Sequence, residues 1–161
     1  MNYAMIMAGG TGKRLWPLSR KSRPKQLLKL FQGQTLIRRC YDRLKNIFDD
    51  NHIYVFTNKD YVDLVREEVP ELPKENVIAE PAVRDTCACI GLAATIISAK
   101  DKEASMAVVT ADQIIEPIEI FQKALSDALA CVDKSPGWLV TFGIQPKFAS
   151  TQLGYIYCVR S

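Results

Sequence analysis

An α/β fold, a mostly parallel sheet with helices on both faces, is what this 161-residue sequence predicts. Two observations predict it. Short apolar runs alternate with stretches of helical period almost without interruption, and a glycine-rich basic loop follows the first run directly. Sheets of this kind hold ligands at the carboxyl ends of their strands, where loops meet helix N-termini.

The strand-like runs, in order, are Tyr3–Ala8, His52–Thr57, Val77–Ala79, Met106–Thr110, Trp138–Phe142 and Tyr155–Val159. Helical patterns lie between them, over Thr35–Phe48, Asp60–Val69, Thr86–Ala99 and Ile118–Val132. In the first, Leu36, Ile37, Cys40, Leu44 and Ile47 recur on one face. Thr86, preceded by Asp85, is the expected cap of the third helix, and Pro117 stands where a first-turn proline is tolerated in the fourth. Residues 1–161 read as one domain without linker, repeat or low-complexity segment. Three places qualify as ligand-binding: the loop after Ala8, the segment Glu80–Thr86, and the residues after Thr110.

Charge is distributed unevenly along the chain. Net charge is +3, yet residues 1–41 hold nine Lys or Arg and no Asp or Glu, while the remainder is net negative. The first 41 residues are therefore expected to meet something anionic. No aromatic-rich basic sheet or recognition-helix pattern points to nucleic acid. No apolar stretch approaches the roughly 20 residues of a membrane helix. Five cysteines, none paired at a framework spacing, read as reduced thiols of a cytoplasmic protein.

The loop Gly9-Gly10-Thr11-Gly12-Lys13-Arg14-Leu15 brings backbone N–H groups to a phosphate with no Cβ in the way. It is not a Walker A loop, because Met7 stands at the first glycine position and Arg14 follows the lysine. Nor is it the dinucleotide fingerprint, which would want Gly or Ala at Leu15. Trp16-Pro17-Leu18-Ser19-Arg20 then leads to Pro24-Lys25-Gln26, with prolines stiffening both ends of the excursion. Arg14 and Lys25 can be held as fixed cations on opposite sides of one phosphate chain.

Ala8-Gly9-Gly10-x-Gly12-x-Arg14-Leu15-Trp16-Pro17-Leu18-Ser19-Arg20 with Pro24-Lys25-Gln26 resembles the signature of the sugar-1-phosphate nucleotidyltransferases, and its wording is similar to the bacterial mannose-1-phosphate guanylyltransferases. Glu80-Pro81-x-x-Arg84-Asp85-Thr86 resembles the family's segment for the guanine and ribose, and Thr110-Ala111-Asp112-Gln113 resembles the segment whose Asp binds Mg²⁺. The resemblance implies a Rossmann-like nucleotidyltransferase fold, with residues 1–161 as its N-terminal portion. It also implies transfer of GMP from GTP to mannose 1-phosphate, yielding GDP-mannose and pyrophosphate. Ala8, Gly9, Gly10, Thr11, Gly12, Lys13, Arg14, Glu80, Pro81, Arg84, Asp85, Thr86 and Ala111 would hold the nucleotide. Arg14, Lys25 and Asp112 would carry catalysis, with Asp112 on Mg²⁺, and Gly154 and Tyr155 would contact the sugar.

That chemistry needs no general base. A sugar phosphate has a second pKa near ~6 and is largely dianionic at neutral pH. His52, at the start of a strand-like run away from every motif, is expected to be structural. Bringing two polyanions together is the obstacle, so positioning and charge neutralisation should dominate.

The sequence departs from the family pattern at several positions: Asp85 replaces an Asn, Ala88 a frequent Pro, and Gln113 a His, while Ser150, Gln152 and Leu153 replace Glu, Gly and Tyr. Two other readings stay open, a non-catalytic nucleotide-binding module acting with a fuller subunit, and a nucleotidyltransferase for another sugar phosphate with UTP or dTTP. An exposed sheet edge after Val159 predicts homo-oligomerisation.

Overall fold

The computed structural model describes residues 1–10, 15–20, 22–30, 33–82, 84–151 and 153–157. Among the described residues four strands form one sheet: β1 Asn2–Met7, β2 Ile53–Asn58, β3 Val77–Glu80 and β4 Ser105–Thr110. Four helices join or follow them: α1 Leu36–Leu44, α2 Val62–Glu68, α3 Asp85–Lys100 and α4 Ile118–Lys134. The strand order is β3-β2-β1-β4, and every pairing is parallel. Ala4 lies opposite Ile53 on one side of β1 and opposite Ala107 on the other.

Alternation along the strands divides the core in two. Ala4, Ile6, Ile53, Val55, Val77 and Ala107 face α1, α2 and α4, packing with Ile37, Leu44, Val65, Leu125 and Leu129. Tyr3, Met5, Tyr54 and Phe56 face α3 and meet Cys89, Ala93 and Ile97, spaced four residues apart along that helix. Handedness accounts for the division. The chain runs outward from β1 through β2 to β3 and then returns across β1 to β4. Right-handed crossovers in opposite directions place their helices on opposite faces.

Local chemistry sets the helix boundaries. Thr35 Oγ1 accepts from the Arg38 N–H at 3.3 Å and donates to Glu68 Oε2 at 2.8 Å, capping α1 and tying it to the end of α2. Asn58 Oδ1 accepts from the Asp60 N–H at 3.0 Å, opening the turn that leads into α2. Pro117 immediately precedes α4. The expected cap of α3 is corrected: Arg84 occupies the cap without a side-chain bond, and Asp85 and Thr86 lie inside the first turn.

Trp138–Phe142 does not form a strand, although its pattern predicts one. The segment is irregular and exposed, because an apolar run becomes a strand only where a neighbouring backbone accepts its ladder. Tyr155–Tyr157 is irregular and exposed likewise, and the rest of that expected strand lies outside the described residues. Among the described residues the sheet's edges are β3 and β4, and Val159, after which an edge is expected, lies outside them. Among the described residues no helix is long and apolar enough to cross a membrane. The described cysteines are free, Cys40 and Cys89 buried and Cys87 and Cys131 exposed.

Candidate active site

Strand order reverses between β1 and β4, so the crevice beyond their carboxyl ends is the place where such a sheet receives a ligand. A cleft of about 280 Å³ opens there. Ala8, Gly9 and Gly10 from the end of β1, Lys25 and Gln26, Glu80 from β3, Asp85 and Thr86 from α3, and Ala111 and Asp112 from the end of β4 all reach it. The three segments singled out in the sequence thus converge on one cavity.

The exit from β1 is fixed through a single carbonyl. The Ala8 N–H donates to the Phe56 carbonyl at 2.8 Å. Its own oxygen accepts from Gln26 Nε2 at 2.5 Å and from Thr57 Oγ1 at 3.0 Å, filling both lone pairs. Gln26 and Thr57 are buried, so these bonds compete with no water. Gly9 and Gly10 follow without positive φ, and what they supply is close approach. A Cβ at Gly9 would overlap the Glu80 carboxylate, and one at Gly10 would touch Lys25 Cε at 3.5 Å.

The excursion after the loop returns through a short antiparallel bridge. Arg20 and Arg23 exchange backbone bonds of 3.0 and 2.9 Å, turning the chain back toward the sheet. A 3₁₀ turn over Lys25–Leu27 then buries Gln26 and Leu27. With both neighbours anchored, Lys25 projects across the cleft and its Nζ hydrogen-bonds to Asp112 Oδ2. Asp112 follows Ala111, whose N–H donates to the Met7 carbonyl at 3.0 Å and continues the β1–β4 ladder one residue past the strand. Burial by itself would raise the Asp112 carboxyl, but the hydrogen bond and charge of Lys25 outweigh it and hold the group below its ordinary value.

On the opposite wall, Asp85 sits at φ +60°, in the left-handed region that a non-glycine residue seldom occupies outside functional or turn positions. Cys89 lies behind it. Burial, followed by the charge of and hydrogen bond with Glu80, pushes its thiol up to about 12, so it remains a packing group and not a nucleophile.

Nine residues expected at the site line the cleft, whereas Pro81, Arg84, Gly154 and Tyr155 do not. The Tyr155 hydroxyl instead bonds the backbone N–H and carbonyl of Ser150 at 2.8 and 3.0 Å. Thr11, Gly12, Lys13 and Arg14 lie outside the described residues. The structural role of Gln26 went unassigned in the sequence, although its place beside Lys25 marked it. Among the described residues, no three His, Cys, Asp or Glu side chains cluster as a metal cage. Three of the described carboxylates line the cleft, those of Glu80, Asp85 and Asp112; Asp112 suits Mg²⁺, which is commonly held by one or two carboxylates together with substrate phosphates.

A family model described as nucleotidyl transferase matches residues 3–159. The chain belongs to that family. A mannose-1-phosphate guanylyltransferase of Escherichia coli is 39% identical over 158 residues, covering 97% of this chain and 33% of the relative. Another, from Sinorhizobium fredii, is 39% identical over 158 residues, covering 94% of this chain and 30% of its own length. A crystal structure from Thermus thermophilus, described as a mannose-1-phosphate geranyltransferase, superposes with a TM-score of 0.71 at 32% identity, covering 83% of this chain and 38% of that one. A Helicobacter pylori structure described as a mannose-6-phosphate isomerase has a TM-score of 0.72 at 24% identity over 94% of this chain and 53% of its own, a likeness of fold alone. The chain spans about a third of the length of the curated relatives it matches.

Proposed function

We propose that residues 1–161 form the N-terminal portion of a nucleotidyltransferase domain that transfers GMP from GTP to mannose 1-phosphate, releasing GDP-mannose and pyrophosphate. The observation that carries the reading is the direct pairing of Lys25 with Asp112 in the switch-point cleft, beside Gly9 and Gly10. The curated relatives named above support the substrate pair.

In the reaction, a phosphate oxygen of mannose 1-phosphate attacks the α-phosphorus of GTP. The bond from that phosphorus to the β-phosphate oxygen breaks, and pyrophosphate leaves with the electron pair. The attacking dianion requires no base, and His52 is remote from the cleft. It lies just before β2, at the amino end of the sheet, and stacks edge-on against Tyr3 at 4.8 Å. Amides of the glycine-rich loop receive the phosphates. Arg14 steadies the β- and γ-phosphates and the departing pyrophosphate. Lys25, released from Asp112, bridges the α-phosphate and the incoming sugar phosphate. Asp112 would hold Mg²⁺ arriving on the triphosphate, which supplies charge neutralisation when bound. Glu80, Asp85 and Thr86 also line the cleft, and on this reading they would receive the base and ribose.

Calorimetric titration of the chain with GTP, with and without Mg²⁺ and with UTP and ATP as controls, tests the reading. Selective, magnesium-strengthened GTP binding is expected, followed by pyrophosphate release when mannose 1-phosphate is added. Binding to no nucleotide would overturn it. The second reading, a binding module that acts with a fuller subunit, is favoured by the exposed apolar residues Trp138, Leu139, Ile144 and Phe148. It predicts GTP binding without product formation by the chain alone.

A further inference from the structure

We infer that Arg43 is a positioning residue for Asp112, the central member of a row of α1 contacts that fixes the loop between β4 and α4. The inference rests on the assignment of Asp112 to the metal. Three side chains of α1 reach the loop at regular intervals. The Cys40 thiol lies 3.7 Å from the Thr110 carbonyl, Arg43 Nη1 donates to the Gln113 carbonyl at 2.9 Å, and Arg39 Nη2 meets Glu116 Oε1 at 2.6 Å. Residues 110, 113 and 116 bracket Ala111 and Asp112. Arg39 and Arg43, four apart, share one face of α1, so one rigid helix sets both loop positions.

Arg43 is unusual among these contacts. Its residue is 2% exposed, and among the described residues no ion pair with a carboxylate serves it. Its Nε has no hydrogen-bond partner among them. The Phe121 ring lies 5.8 Å from its guanidinium carbon, and Gln122 Nε2 caps the Arg43 carbonyl at 3.0 Å, locking α1 to the first turns of α4. Burying a guanidinium without a carboxylate is unfavourable, and an apolar side chain would fill the same space at less cost. What an apolar side chain lacks is a donor for the carbonyl of Gln113, the residue after Asp112. Groups that orient a metal ligand typically change metal affinity by about 10–100-fold when removed.

The test uses the full chain with Arg43→Met, which keeps the apolar stem, Arg43→Lys, which keeps one cationic donor, and Glu116→Gln at an exposed carboxylate. Hydrogen exchange of the amides from Ala111 to Glu116 is followed against those of β2, and the magnesium-induced tightening of GTP binding is measured in parallel. Arg43→Met is expected to raise loop exchange roughly tenfold while β2 stays protected. It should also cut the magnesium effect about tenfold, leaving magnesium-free GTP affinity within twofold. Arg43→Lys should recover part of both, and Glu116→Gln should move both in the same direction by less. A merely structural role would instead lower protection throughout the sheet. Unchanged loop exchange in Arg43→Met, or in Glu116→Gln if Arg43→Met does not fold, overturns the inference. Loosened exchange with an intact magnesium effect overturns it too. Should the wild-type chain show no magnesium-dependent GTP binding, the proposed function falls, while the exchange data still decide whether α1 holds the loop.

Discussion

Replacing Lys25 by Met separates the electrostatic part of the site from its packing. Met keeps an unbranched stem beside Gly10 and removes the charge that reaches Asp112. The two side chains are 29% and 35% exposed, so the ion pair contributes no more than about 1 kcal/mol to stability. For a chain of this size that corresponds to a melting shift of roughly 2–4 °C. The effect on ligand is larger. A hydrogen bond from a charged donor is worth about 1.5–3 kcal/mol, which weakens GTP binding by roughly 10–150-fold. Loss of a donor that acts in the transition state would cost on the order of 10²–10³ in rate. Titration calorimetry with GTP and thermal melting, on wild type and Lys25→Met in parallel, read both quantities. GTP affinity within twofold of wild type would refute the role of Lys25. A melting temperature lowered by about 10 °C or more would refute the claim that the residue is chiefly a ligand group.

Asp112→Asn should abolish the magnesium-induced tightening of GTP binding while magnesium-free affinity holds or improves, because Lys25 is no longer tethered; a retained magnesium effect in calorimetry contradicts this. The same pair predicts a pH dependence. Burial raises the Asp112 carboxyl and Lys25 more than offsets that, so the group lies below its ordinary 3.8 when folded, and its contribution is complete above about pH 5 and fades as pH falls through the folded value. The urea-midpoint gap between wild type and Asp112→Asn should therefore narrow between about pH 5 and pH 3, and a constant gap would contradict it. Phe56→Ala, at a fully buried position on the α3 face, should cost about 3–5 kcal/mol in urea denaturation. Exposed apolar residues along 138–148 predict self-association, so light scattering should report a mass above 18.1 kDa, and a monomer at working concentration would count against it.

Four strands and four helices were legible in the sequence because each carries its own signal. Tyr3–Met7 alternates between two cores, and Leu36, Ile37, Cys40 and Leu44 line one side of a helix. Trp138–Phe142 carries the same apolar signal and is irregular, since a strand's partner is not encoded in the strand. The lining of the cleft was legible at Gly9, Gly10 and Asp112, because the phosphate and metal chemistry expected of them restricts residue types strongly. Its supports were not. Gln26, Thr57 and Arg43 act through main-chain carbonyls, and a carbonyl has no residue identity to reveal which side chain will reach it.

The handedness of the crossovers explains why the site lies where it does. Had the chain continued outward from β3, its next helix would have joined α1 and α2 on one face, and the loops of β1 and its neighbour would have been covered alike. Reversal to β4 sends α3 to the opposite face, so the segment leaving β3 crosses the carboxyl edge of the sheet while those leaving β1 and β4 return to the face of α1 and α4, and the cleft lies between them. Lys25 is carried into that crevice by an excursion anchored at Gln26, and Asp112 by a strand end that α1 holds from beneath. Cation and carboxylate meet because two independently braced loops face each other across a gap that the topology creates. The stability of the pair itself is secondary, so on the function proposed above it would separate for arriving phosphates without disturbing the sheet.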